Sequence, residues 1–123
     1  MIKRQWGRIV HLSTLSATTY QGHAAYVSAK CALEGYVKSV SREVSKDNVI
    51  LSAVAPGAIY TEGRYFAKIQ KENPALLEEY LRAHLPIKRL GTTEDVGFAV
   101  AFLCSEQASY MAGAIVPVDG GWM

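Results

Sequence analysis

The phenol of Tyr26 and the ammonium of Lys30 stand four residues apart in the run Tyr26-Val-Ser-Ala-Lys30. On a helix, residues i and i+4 share one face, so the two groups would sit side by side. A phenol normally ionises near pH 10 and is a poor proton donor or acceptor at neutral pH, because acid–base catalysis favours groups that titrate near the working pH. A fixed positive charge about 5 Å away, at an effective dielectric of about 20, favours the phenolate by roughly 3 kcal/mol. Tyr26 and Lys30 thus have the makings of a general acid/base and its tuning charge. Ser13 adds a hydroxyl able to hold a substrate oxygen beside them. Spacing alone is weak support, since seven Tyr and seven Lys in 123 residues give roughly 0.4 such pairs by chance. The weight comes from where the surrounding elements put the pair.

Arg8-Ile-Val-His-Leu-Ser13 is a short apolar run after Trp6-Gly7 and reads as a buried strand. Thr14 to Gly22 is small and polar and reads as a loop. From about Ala24 the spacing becomes helical. Ala29, Leu33, Tyr36, Val37, Val40 and Val44 form one apolar stripe, with Glu34, Lys38 and Arg42 opposite, at intervals that favour ion pairs. The helix should fade at Lys46-Asp47-Asn48. Val49 to Ala55 is a second strand, stopped by Pro56-Gly57. Strand, loop, long helix and strand make a βαβ unit, which implies parallel pairing and a right-handed crossover. A polar stretch with Gly63 follows, then a helix around Pro74 to His84. Thr92 or Thr93 can cap another helix through Val96, Val100 and Leu103, with Glu94 and Asp95 in its first turn. Ala114 to Val118 is a last strand, and Pro117 within it points to an edge position. The expected architecture is one α/β domain with about three parallel strands and flanking helices. In open sheets of this kind ligands bind beyond the carboxyl ends of the strands, where Ser13, the Tyr26–Lys30 pair and Pro56-Gly57 converge.

Composition narrows the alternatives. The chain is 50% hydrophobic and 20% charged with a net charge of +2, which fits an ordinary globular domain and gives no reason to invoke nucleic acid. The longest apolar run, Val96 to Cys104, is about half of what a membrane span requires. Met1 to Trp6 is basic, yet no apolar core of a secretory signal follows. Cys31 and Cys104 lack CxxC or zinc-ligand spacing and read as free thiols in a reducing cytoplasm. His11, His23 and His84 are scattered, so no metal site is expected. Ser13 lacks the GxSxG elbow of a serine hydrolase. Tyr65-Phe66 and Tyr80-Leu81 read as apolar faces of a lid-like segment.

Four motifs in order carry a resemblance: Trp6-Gly-Arg-Ile-Val-His-Leu-Ser13, Ala25-Tyr-Val-Ser-Ala-Lys30, Ala55-Pro-Gly-Ala-Ile-Tyr-Thr61 and Gly113-Ala-Ile-Val-Pro-Val-Asp-Gly-Gly121. Together they resemble the short-chain dehydrogenase/reductase family, in particular its 3-oxoacyl-[acyl-carrier-protein] reductase-like members. The resemblance implies the second half of a doubly wound Rossmann-type sheet, NAD or NADP as cofactor, and hydride transfer between NAD(P) and a carbonyl or alcohol. It implies that Tyr26 is the general acid/base, that Lys30 tunes it and binds the nicotinamide ribose, and that Ser13 positions the substrate oxygen. Pro56-Gly57 then resembles the nicotinamide-side loop, with Ile59 and Thr61 near the carboxamide. Glu62 to His84 resembles the variable substrate-binding segment, for a small carbonyl or alcohol compound or an acyl thioester.

None of the ten glycines forms the GxGxxG or GxxxGxG turn whose amides cradle a pyrophosphate. The expectation is therefore a single partial Rossmann-type domain over residues 1–123, the catalytic half, with Met1 to Gly7 resembling the end of a preceding helix. Two consequences follow. Cofactor affinity of the chain alone should be weak, and the first strand should present an open edge that favours a homo-oligomer. A second reading is a non-catalytic subunit or interaction module that pairs with a full-length paralogue. The joint presence of Ser13, Tyr26 and Lys30 weighs against it.

Overall fold

Val49-Ile-Leu-Ser-Ala-Val-Ala-Pro56 is rich in β-branched and small residues, and it occupies the only position in the sheet flanked on both sides. The computed structural model describes residues 1–123 and contains strands β1 (Gly7–Leu12), β2 (Val49–Pro56) and β3 (Ile115–Val118). All pair in parallel in the order β1-β2-β3. Gly7 lies opposite Val49 and Leu12 opposite Val54, while Ala53 to Pro56 register with Ile115 to Val118. Seven of the eight β2 residues are buried, as expected of a central parallel strand covered on both faces. Pro117 sits on β3, the edge strand its missing N–H calls for.

Five α-helices complete the chain: α1 (Ser16–Thr19), α2 (Ala24–Val44), α3 (Tyr65–Glu72), α4 (Pro74–His84) and α5 (Thr93–Leu103). Helix α2 covers one face of the sheet, where Val37 packs on Val49, Leu51 and Ala53, with Ile9, Val40 and Val44 around them. Helix α5 covers the other, where Leu103 and Ala108 pack on Val54, with Val10, Val96 and Val100 around them. Alternation along β1 follows from this. Ile9 packs on the α2 side, and His11 meets Tyr36 of α2 edge-to-face at 5.8 Å. Arg8 and Val10 face the α5 side, where Arg8 reaches the carbonyl of Ser105 at 3.1 Å. Strand periodicity of two makes these two faces distinct.

Local chemistry sets the boundaries. Asn48 takes the left-handed conformation, φ 54°, at the end of the turn that closes α2, where Asn is tolerated. Thr92 and Asp95 form a capping box at the start of α5, and Asn73 caps α4 ahead of Pro74. Arg8, read from sequence as the start of an apolar run, is a buried side chain. Its guanidinium donates to the carbonyls of Gly7, Asn48 and Ser105 and lies 5.2 Å from the Trp6 ring centroid.

Several expectations are corrected. The stretch after Gly63 is not simply polar: Tyr65–Glu72 is a helix, packed on α4. The expected loop contains one helical turn, Ser16–Thr19. The expected ion pairs along α2 do not form. Glu34 accepts a hydrogen bond from Ser13, and Lys38 donates to the carbonyl of Gly113 at 3.3 Å. Polar groups at strand ends offer these side chains partners that solvated pairs do not match. Tyr36, placed in the apolar stripe, is half-exposed, and β1 is only partly buried beyond Arg8.

Candidate active site

The first turns of α2 carry Tyr26 and Lys30 to the carboxyl end of the sheet. The Lys30 ammonium donates to the carbonyl of Leu12, the last residue of β1, at 2.6 Å. Its Nζ lies 5.8 Å from the Tyr26 ring centroid. The side chain therefore spans from strand end to phenol and fixes their separation. Tyr26 itself is half-exposed, so its hydroxyl opens toward the cleft rather than into the core.

Beyond Leu12 the backbone is pinned to β2 twice more. Ser13 N–H donates to Val54 at 2.8 Å and Leu15 N–H to Pro56 at 2.9 Å. Between β1, α2 and the Pro56-Gly57 turn lies a cavity of about 480 Å³. Its walls bring together Ser13, Tyr26, Lys30, Pro56, Gly57 and Ile59, so six of the seven residues singled out from sequence meet there. Thr61 does not. It is exposed, past the bridge that ties Ile59 to Gly91, and its carbonyl accepts from Arg64 N–H in a separate turn.

Ser13 lines the cavity with its hydroxyl already engaged. It is buried, and its hydroxyl donates to the Glu34 carboxylate at 2.5 Å. The reason is strand parity: Ser13 continues the series of Ile9 and His11 toward α2, so its side chain meets Glu34, two helical turns beyond Tyr26. Five residues not singled out from sequence also line the cavity: Leu12, Thr14, Phe66, Thr93 and Val96. Thr14 was detectable in principle, because parity places residue 14 on the opposite face from residue 13.

A second cleft of about 460 Å³ adjoins the first, with Thr14, Pro56, Gly57 and Phe66 common to both. One wall is aromatic and includes Tyr65, Tyr80 and Trp122. The rings form a chain: Tyr65 to Phe66 at 5.2 Å, Phe66 to Tyr80 at 5.3 Å, Tyr80 to His84 at 5.0 Å and His84 stacked on Trp122 at 5.6 Å. Met123 N–H donates to the His84 carbonyl at 3.1 Å and fastens the C-terminal end to α4.

Electrostatic perturbation is concentrated nearby, at the start of α5. Hydrogen bonds from the Arg89 guanidinium, at 2.6 and 3.1 Å, and then from the Thr92 backbone hold Asp95 down at about 2, against the usual 3.8. The same contact raises Arg89. Glu94 is lowered by its own backbone N–H and by Thr92 and Thr93. No three His, Cys, Asp or Glu side chains gather as metal ligands, and no helix is long and apolar enough to cross a membrane.

A three-stranded parallel sheet with a helix layer on each face, and with a tyrosine and a lysine converging where the strands end, is a Rossmann-like α/β arrangement. Its lineage is also clear. The chain belongs to the short-chain dehydrogenase/reductase family: a family model described as enoyl-(acyl carrier protein) reductase matches residues 1–123. It is similar to the 3-oxoacyl-[acyl-carrier-protein] reductase MabA of Mycobacterium avium, 42% identical over 98% of this chain and 46% of the relative. The reductase FabG of Pseudomonas aeruginosa is 38% identical over 98% of this chain and 47% of the relative. Among solved structures, a 3-oxoacyl (acyl-carrier-protein) reductase of Agrobacterium tumefaciens with NADP bound superposes with a TM-score of 0.90 at 31% identity, over 98% of this chain and 46% of that one. The L-sorbose reductase of Gluconobacter frateurii, complexed with NADPH and L-sorbose, gives 0.87 at 32% identity, over 100% and 49%. The chain spans about half the length of the curated relatives it matches.

Proposed function

We propose that this chain supplies the proton-transfer side of an NAD(P)-dependent oxidoreductase that interconverts a carbonyl and an alcohol. Its substrates are small carbonyl or alcohol compounds or acyl thioesters, and the names of its 3-oxoacyl-[acyl-carrier-protein] reductase relatives favour the last. The observation that carries this reading is Lys30, bridging the Leu12 carbonyl and the Tyr26 ring at the mouth of the cavity. The residues present suit the nicotinamide end of such a cofactor. Of the three ammonium donors of Lys30, one is engaged at Leu12, which leaves donors for ribose hydroxyls. Pro56, Gly57 and Ile59 form an apolar wall against which a flat ring can lie.

When bound, the cofactor supplies or accepts the hydride. Tyr26 holds the balancing proton on its phenolic oxygen and exchanges it with the substrate oxygen. Lys30 places a positive charge beside that oxygen and, through Leu12, keeps the helix and the strand end in register. Ile59 and the Pro56-Gly57 turn limit how a flat ring can lie in the cavity. The assembly is proposed to be a cytoplasmic homo-oligomer. The open edge of β1 supports self-association, and the unpaired thiols of Cys31 and Cys104 support a reducing compartment.

The test is NADPH-dependent reduction of an acetoacetyl thioester. Tyr26→Phe is expected to lower kcat by about 10²- to 10⁴-fold, and unchanged turnover would refute the assignment. Activity that arises only when a full-length relative is added supports the subunit reading instead.

A further inference from the structure

The cleft beside the Tyr26–Lys30 cavity has two unlike kinds of lining. One part is made of rings: Tyr65, Phe66, Tyr80 and Trp122. Each ring meets the next, with His84 as the link to Trp122, at centroid separations between 5.0 and 5.6 Å. Tyr80 and His84 stand one turn apart on α4 and so share a face. The bond from Met123 N–H to the His84 carbonyl holds the end of the ring chain in place. The rest of the lining is short and polar: Ser16 and Thr19 of α1, followed by Gln21 and Gly22. Thr19 commits its hydroxyl to the Leu15 carbonyl at 3.3 Å. The Ser16 hydroxyl and the Gln21 amide carry no protein partner and remain for a ligand.

Two chemistries compete for such a cleft. A long saturated acyl chain would strip water from Ser16 and Gln21 and return no hydrogen bond, which costs free energy. Against the rings it gains only the area it buries. A flat ring that bears a hydroxyl or carbonyl oxygen suits both parts of the lining. Its face or edge packs on Tyr80 and Trp122 with a gain beyond buried area. Its oxygen pairs with Ser16 or Gln21, the few polar groups that fix orientation in a mostly apolar site. The cleft and the cavity share Thr14, Pro56, Gly57 and Phe66. One compound can therefore reach from Tyr26 to the ring wall.

We propose that this cleft binds a flat, oxygen-bearing aromatic ring, so that the substrate is an aryl or ring-fused carbonyl compound, free or as a thioester. A long saturated acyl chain is the class it disfavours. The proposal rests on the proton-transfer reading above for where the carbonyl lies, and measuring binding apart from turnover separates the two.

The experiment is calorimetric titration of the full chain, without cofactor, with three probes. They are a hydroxytetralone (a phenol ring fused to a cyclic ketone), decalone (the saturated ketone of the same skeleton) and a ten-carbon 3-oxoacyl thioester. The hydroxytetralone is expected to bind about tenfold more tightly than decalone, and more tightly than the thioester. Tyr80→Leu and Trp122→Leu keep apolar bulk but remove a ring, and each should weaken the hydroxytetralone about 2- to 10-fold while leaving decalone unchanged. Tyr80→Phe and Trp122→Phe, which keep a ring, should retain most of the binding. Thermal melts confirm that each variant is folded.

Equal binding of decalone, tightest binding of the thioester, no binding of the hydroxytetralone, or indifference to both Leu variants overturns the ring assignment. The proton-transfer reading then stands or falls on its own, through turnover of an acetoacetyl thioester by Tyr26→Phe, a substrate too short to need the ring wall. If the ring preference holds while Tyr26→Phe turns over unchanged, the cleft stands as a ring site and the substrate assignment falls with that reading.

Discussion

At Gly57 the chain leaves β2 so close to Asp119 that no side chain fits between them. A Cβ on Gly57 would lie 2.8 Å from the Asp119 Cβ and 2.9 Å from its Cα, and the Gly57 N–H donates to Val118 at 3.0 Å. Backbone cannot yield as the end of a long side chain can. Gly57→Ala must therefore push the ends of β2 and β3 apart, at a cost of about 1–3 kcal/mol. The expected outcome is a lower urea midpoint together with weakened NADPH binding, because Gly57 is also part of the cavity wall. A variant as stable as the wild type would show that this close approach is not obligatory. The same intolerance of small displacements explains why one residue of parity matters at 13 and 14. Tyr26 and Lys30 are legible in sequence because their spacing alone makes them neighbours on a helix. The role of Ser13 is not, because its partner Glu34 lies 21 positions away and only the packing of β1 on α2 brings them together.

At the scale of elements, legibility follows the strength of local signals. The end of β2 is marked by Pro56-Gly57, α4 by Asn73-Pro74 and α5 by the Thr92 box, and those boundaries agree with sequence to within a residue or two. Helix α3 escapes notice because it is only eight residues long and its partner, α4, is needed to give its apolar residues a face. The box at α5 yields a prediction about acid. Asp95 is held near 2 in the folded chain, below its usual 3.8. A carboxylate whose folded value is depressed contributes stability above its unfolded value and loses it as pH falls through the folded one. The contribution of Asp95 is thus complete above about pH 4–5 and fades toward pH 2. Asp95→Asn should lower the melting temperature at pH 7 but by progressively less from pH 4 to pH 2. A difference that stays constant over that range would disprove the linkage.

For the molecule as a whole, surface area is the telling quantity. The chain exposes 7854 Å², about a fifth more than the roughly 6,500 Å² expected of a compact chain of this mass. One apolar patch lies beside the unpaired edge of β1, where Met1, Ile2, Ile9, Tyr36, Val40 and Val44 line an open hollow of about 450 Å³. An exposed strand edge beside apolar surface is a template for pairing with another chain. Light scattering is expected to show self-association that rises with concentration, and a monomer that persists from dilute to concentrated solution would contradict it. The aromatic chain at the opposite side of the site has an optical consequence. Only two tryptophans are present: Trp6 lies beside Arg8, and Trp122 stacks on His84 at an interplanar angle of 13°. With Trp6→Phe and excitation at the red edge, where tyrosine does not absorb, the emission becomes that of Trp122 alone, and its intensity reports on the ring chain along the cleft. A ligand that slides between Tyr65, Tyr80 and Trp122 should change that emission before any bond is made or broken.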